Sequence, residues 1–164
     1  MYYRTLAALC LAVSVALTPM KSQTETLLDT GQYFEGTWTC KTDHGSFAIH
    51  NYRIELGDRW LTMHNRFEMP GGATGEYDEY YGYEPGAKTW QFRQFGSDGT
   101  LTSATSSGWA GASWRFTGSR RDDAKTVPWR MTYVRFGPIK FQRKIEYQAQ
   151  NAWKPLSGEL CEKK

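Results

Sequence analysis

The strongest constraint on how this sequence can fold is its punctuation: turn signals recur about every ten residues along most of the chain. They stand at Asp43-His44-Gly45, Gly57-Asp58, Pro70-Gly71-Gly72, Glu84-Pro85-Gly86, Ser97-Asp98-Gly99, Ser107-Gly108, Asp122-Asp123 and Gly137-Pro138. Between them lie short runs rich in Trp, Tyr, Phe, Ile and Thr, residues that suit a pleated, half-buried surface. No stretch keeps a helical apolar period for three turns, apart from a short acidic lead at Thr24 to Leu28 that reads as helical. The spacing predicts an antiparallel sandwich or barrel with about ten strands. They are expected near 35–42, 46–56, 60–69, 76–83, 88–96, 100–106, 111–118, 128–136, 139–149 and 153–161.

Alternation along the strands says which faces are dry. Ile139, Phe141, Ile145 and Tyr147 share one face, against Lys140, Gln142, Lys144 and Glu146. Trp90 and Phe92 oppose Gln91 and Arg93, and Trp114 and Phe116 oppose Arg115 and Thr117. One wet and one dry face is what a half-buried antiparallel sheet requires. Left open, such a meander would expose two edges, and closing it removes them. The expected fold is therefore all-β, a closed antiparallel up-and-down barrel. The segments 46–56 and 60–69 alternate poorly, because Arg53, His64 and Arg66 fall in phase with apolar neighbours or close to them. Either these strands are mixed on both faces or polar groups line a wet interior, and the second reading is preferred.

The two ends of the chain speak to its compartment. Arg4 is the only charge before Lys21, and an apolar run from Thr5 to Leu17 lies between them. That run is too short to span a bilayer, and Ser14-Val15-Ala16 offers the small residues that a signal peptidase reads. Residues 1–22 are thus expected to be a signal peptide and short leader, with 23–164 as the domain. A retained anchor is the competing reading. Removal takes away Arg4 and Lys21, which lowers the formal net charge of +3 by two and leaves no electrostatic reason to bind nucleic acid. A mean hydropathy of −0.64 excludes a polytopic membrane protein. Removal also takes away Cys10. In a secreted or periplasmic protein the remaining pair, Cys40 and Cys161, is most simply a disulfide tying the first strand to the last. Closing a loop of ~120 residues allows up to about 5 kcal/mol.

At Gly36-Thr37-Trp38, after a short helical lead, the sequence resembles the opening of lipocalins and their calycin relatives. The resemblance extends through Gly57-Asp58-Arg59-Trp60-Leu61, Tyr81-Gly82-Tyr83-Glu84-Pro85, Ser97-Asp98-Gly99-Thr100-Leu101, Ser107-Gly108-Trp109 and Lys144-Ile145-Glu146-Tyr147. Taken in order, these pieces look like a bacterial family of lipocalin-like barrels of unknown function. That resemblance implies a closed barrel with an interior cavity and no established chemistry. Nitrobindin-type haem barrels are more distant cousins and hold haem by a late His. Here His44, His50 and His64 all lie in the first half, so no cofactor is expected. Fatty-acid-binding calycins hold a carboxylate with an Arg and a Tyr two residues apart on a late strand. Arg143 and Tyr147, four apart, match that only in part.

The dry face supplies the candidate ligand-binding residues: Trp60, Tyr81, Trp90, Phe92, Trp114 and Tyr133, with Arg143 and Tyr147. Tyr83 and Phe116 belong to the same aromatic set. Most of these rings are needed as core in any case. Arg143 interrupts an apolar face, and an inward Arg needs a partner. A lid over Trp38 or a pair with an inward Glu such as Glu79 would serve. So would a ligand anion met together with Tyr147, Tyr133 or Tyr81. The carboxylates of Glu76, Asp78 and Glu79 point apart on a strand and suggest no acid–base pair. His50 and His64 would fall on neighbouring strands, but without a third ligand they predict no metal site.

The expected role is an exported barrel that binds a small, partly apolar ligand, an anion being one candidate, in its interior. No nucleic-acid partner and no membrane insertion after signal removal are expected. The alternative is an envelope interaction or inhibitor module with a packed barrel, working through Met69 to Thr74 and Trp109. An enzyme is the least favoured class, since no nucleophile elbow, zinc-protease helix or phosphate loop occurs.

Overall fold

A computed structural model describes residues 27–68, 72, 74–122 and 125–164. The expected signal segment and most of the Met69 to Thr74 loop lie outside them. A short helix, α1 (Leu27–Phe34), leads into eleven strands: β1 (Gly36–Thr42), β2 (Phe47–Glu55), β3 (Trp60–Glu68), β4 (Thr74–Glu84), β5 (Thr89–Gly96), β6 (Leu101–Ser106), β7 (Trp109–Ala110), β8 (Ser113–Arg121), β9 (Thr126–Arg135), β10 (Lys140–Ala149) and β11 (Ala152–Lys163). Ten of these form the barrel, and each overlaps a strand expected from the turn spacing. The addition is β7, a two-residue strand paired with the start of β8.

Sequence neighbours pair as antiparallel hairpins, and two further pairings close the circle. β1 pairs with β11, with Cys40 opposite Cys161, and β6 pairs with β8, with Ala104 opposite Gly118. The β6–β8 seam is tight. A Cβ on Gly118 would lie 2.0 Å from the Ser103 carbonyl oxygen, so a residue without a side chain is required there. At the other seam Cys40 and Cys161 form a disulfide across directly opposed positions, with Cα atoms 4.0 Å apart.

α1 covers one end of the barrel. Gly36, at φ 112°, turns the chain from α1 into β1, a conformation that other residues rarely adopt. Phe34 then points into the barrel mouth and meets Trp38, Tyr52, Trp114, Tyr133 and Phe141 at ring-centroid distances of 5.1–6.3 Å. The Trp38 indole donates a 2.6 Å hydrogen bond to the Phe34 carbonyl, pinning helix to strand. Lys163, rather than Arg143, covers Trp38, its Nζ standing 5.4 Å from the ring centre.

Two sequence expectations about side-chain direction need correction. Trp60 is not on the dry face. Its neighbour Leu61 is buried, and the Trp60 ring lies over Gly82 of β4, where an added Cβ would come within 2.7 Å of it. The large ring fills the space over a glycine on the outer wall. In β2 and β3, Arg53, His64 and Arg66 are exposed, while His50 and Asn65 point inward and are buried. The interior does carry polar groups from these strands, but from the opposite phase.

Candidate functional site

The interior changes character along the barrel axis. Next to α1, Trp38, Tyr52, Trp90, Trp114, Tyr133 and Phe141 are all fully buried and pack ring against ring. Farther from α1 polar inward positions join the apolar ones: His50, Asn65, Glu79, Gln94, Thr102, Arg143 and Glu159 are all buried, beside Trp129, Met131 and Ile145.

Arg143 is the centre of the polar half. Alternation on β10 places it between Phe141 and Ile145 on the inner face. Its Nη1 donates to both carboxylate oxygens of Glu79, at 3.0 and 3.2 Å. Its Nη2 donates to Glu159 Oε1 at 3.0 Å and to the hydroxyl of Tyr77. Glu79 also accepts from Gln94 Nε2 at 2.9 Å and from the Tyr81 hydroxyl. Thr102 in turn donates to Gln94 at 3.1 Å. Because Tyr81 donates to Glu79, its oxygen is left to accept from Tyr133, 2.6 Å away, and Tyr52 stands 3.5 Å beyond Tyr133. A file of phenols thus runs from the aromatic half to the carboxylates.

On the other side, His50 lies between Glu159 and the disulfide. Its Nδ1 is 3.4 Å from Cys40 Sγ, and its Nε2 is 3.2 Å from Glu159 Oε2 but out of line for a hydrogen bond. His64, facing out, pairs instead with Asp78 at 2.7 Å, so the two imidazoles stand on opposite faces of the wall.

Burial dominates the acid–base balance. It lifts the Glu79 carboxyl above the usual carboxylate range, although Arg143 opposes this. At Glu159 burial acts in the same direction but is outweighed by Arg143 and His50, and the carboxyl is held below its usual range. Burial pulls the His50 imidazole down to about 4, against the attraction of Glu159. It opposes the Arg143 charge too, and there Glu159, Tyr77 and Glu79 together prevail and keep the guanidinium protonated. Burial raises Tyr133 to about 12, so the phenol file stays neutral.

Of the expected ligand-binding residues, Tyr81, Trp90, Phe92, Trp114, Tyr133 and Arg143 are brought together and buried against one another. Tyr147, opposite Trp129 in the β9–β10 ladder, is half-buried near the end away from α1, and Trp60 is on the outside. Arg143 does meet the inward Glu79. Its charge is spanned by two carboxylates, so a ligand anion would have to displace one of them. Glu159 and Tyr77 were not singled out by the sequence reading, and His50 was weighed only with His64, which faces the other way. Glu159 was readable in principle, since it stands two residues from Cys161 on one strand and shares its face.

Among the described residues, two cavities on the wall stand out, and none of the eight expected residues lines either. One, of about 330 Å³, lies over β2–β4 beside Arg53, His64 and Asp78. The other, of about 620 Å³, follows a bulge between β10 and β11. There Ile145 pairs with Ser157 and Glu146 with Pro155, leaving Leu156 as the extra residue. Pro155 has no N–H to give to the ladder. The groove is lined by Lys41, Lys144, Ile145, Pro155, Glu159 and Leu160, among others. Glu159 is the one member of the buried ionic cluster that reaches it. On the outer wall beside it, Phe47 and Leu160 flank Lys41 in register, and both are exposed.

No protein-family model matches the chain, and no curated protein sequence matches it. Among solved structures the chain is similar to a de novo designed fluorescence-activating β-barrel, with 13% identity and a TM-score of 0.46, over 83% of this chain and 98% of that one. The strand pairings themselves define a closed antiparallel barrel of ten strands with one short strand added.

Proposed function

We propose that the protein is a non-catalytic, exported barrel that binds a small, partly apolar, acidic molecule in the groove at the β10–β11 bulge. The observation that carries this reading is the composition of that groove. Ile145, Pro155 and Leu160 supply apolar contact, and Lys41 and Lys144 supply cationic groups beside the carboxylates of Asp43, Glu146 and Glu159, of which Glu146 is already paired with Arg130 and Glu159 with Arg143 of the interior ionic cluster. A mostly apolar site with a few placed polar groups suits a small ligand. The lysines suit an acid better than Arg143 does, because its amino groups already serve Glu79, Glu159 and Tyr77. Export is the setting in which the Cys40–Cys161 bond would persist.

Calorimetric titration with decanoate tests the reading. One molecule should bind per chain, at least tenfold more weakly in the Lys41→Glu/Lys144→Glu double variant and unchanged in His64→Ala. Absence of binding, or binding indifferent to the double variant, would remove the groove as the site.

A specific observation favours the interaction reading as the second choice. Phe47 and Leu160 lie 65% and 40% exposed on either side of Lys41, an apolar row on an outer wall where polar side chains are expected.

A further inference from the structure

Among the described residues, one group of side chains has the composition of a metal site: Cys40, Cys161, His50 and Glu159. One ligand atom from each lies within 4.8 Å of the others, and all four residues are buried. They come from β1, β2 and β11, the strands that form the disulfide seam. We propose that, once the Cys40–Cys161 bond is reduced, these four side chains bind one divalent cation of the zinc class. The seam then has two closed states, a disulfide or a pair of thiolates bridged by a metal ion.

The donor set suits such an ion. Zinc takes thiolate, imidazole and carboxylate ligands in a tetrahedron, with bonds of about 2.0–2.3 Å and donors therefore roughly 3.3–3.8 Å apart. His50 Nδ1 is already 3.4 Å from Cys40 Sγ, and Glu159 Oε2 is 3.9 Å from Cys161 Sγ. Reduction lets the two sulfurs rotate apart toward the same spacing.

The surroundings orient the remaining donors. Arg143 Nη2 holds Glu159 by Oε1, which leaves Oε2 facing His50 and Cys161. A carboxylate fixed through one oxygen and offering the other is the arrangement that outer-shell partners give metal ligands. The imidazole is buried, with Nδ1 turned toward Cys40 as the ligand atom and Nε2 left to carry the ring proton. A metal ion would neutralise the thiolates in a barrel interior where they would otherwise stand desolvated.

The chemistry balances with a dithiol as reductant. Its two electrons and two protons convert the disulfide to two thiols while it becomes a disulfide itself. The incoming dication then displaces both thiol protons to solvent.

The test uses the full chain, unfolded with a phosphine reductant and refolded in the presence of cobalt(II). The expected result is one cobalt per chain, with thiolate-to-cobalt charge transfer and the strong visible bands of a tetrahedral ion. The oxidised protein should show neither. His50→Ala and Glu159→Gln should each weaken binding about tenfold or more. X-ray absorption of the zinc-loaded wild-type protein needs no variant to fold, and it should show two sulfur and two nitrogen or oxygen neighbours. Cobalt bands missing from a folded, reduced protein would overturn the proposal. So would a shell of four sulfurs or of none, or binding indifferent to both substitutions.

Discussion

The half of the barrel beneath α1 and the half away from it are built from the same strands, yet they solve burial in opposite ways. Near α1, Trp38, Trp90, Trp114 and Phe141 fill the interior with rings, and stability follows from area removed from water. Away from α1, Arg143, Glu79, Glu159 and His50 occupy equivalent inward positions. Ions taken out of water there regain in mutual attraction roughly what they lose in hydration, so their net contribution to stability is small. The ionic half adjoins both the disulfide and the wall groove.

The comparison can be broken most severely from the aromatic side. Trp114→Ala removes a ring in contact with Tyr81, Trp90 and Phe116, and should lower stability by about 3–5 kcal/mol in denaturant titration. A change under about 1 kcal/mol would mean that the ring is not core.

On the ionic side the expected pattern is a loss that can be reversed. Arg143→Met leaves two buried carboxylates without their cation and should destabilise by at least about 3 kcal/mol. Adding Glu79→Gln and Glu159→Gln to that variant should restore most of the loss. If the triple variant were as unstable as the sum of its parts, the cluster would be holding the fold together directly.

A smaller effect concerns acid. The His50 imidazole is held near 4 in the folded protein, mainly by burial, against an ordinary value of 6.5. A group depressed in this way stabilises the fold above its unfolded value. That contribution is lost as pH falls from about 6.5 to about 4, by up to about 3 kcal/mol. Glu159, also depressed, adds a loss below the ordinary carboxylate range. His50→Asn should flatten the upper part of this acid limb, and an unchanged limb would assign it to other groups.

Much of this was legible in the sequence, for identifiable reasons. Turns every ten residues gave the strand count, and alternation placed Trp90, Phe92, Trp114, Phe116 and Arg143 inward. The lone inward Arg called for a partner, and Glu79 was among those it allowed. Trp60 misled because a large ring reads as core, while on the outer wall it covers Gly82. The phase of β2 and β3 was obscured because both faces carry polar residues, so the inward His50 and Asn65 could not be told from the outward Arg53 and His64. The groove was not readable at all. It depends on a one-residue bulge at Leu156, and neither alternation nor turn spacing registers a shift of that kind.

The central claim is that ligand recognition occurs on the wall at the bulge while the aromatic half stays closed. An amide and indole NMR map of the protein titrated with decanoate addresses it most directly. The account predicts shifts concentrated at the backbone amides of Lys41, Lys144, Gly158 and Glu159, with the Trp90, Trp114 and Trp129 indole signals unmoved. Large shifts of those indoles, with the bulge silent, would place the ligand inside the barrel and contradict it.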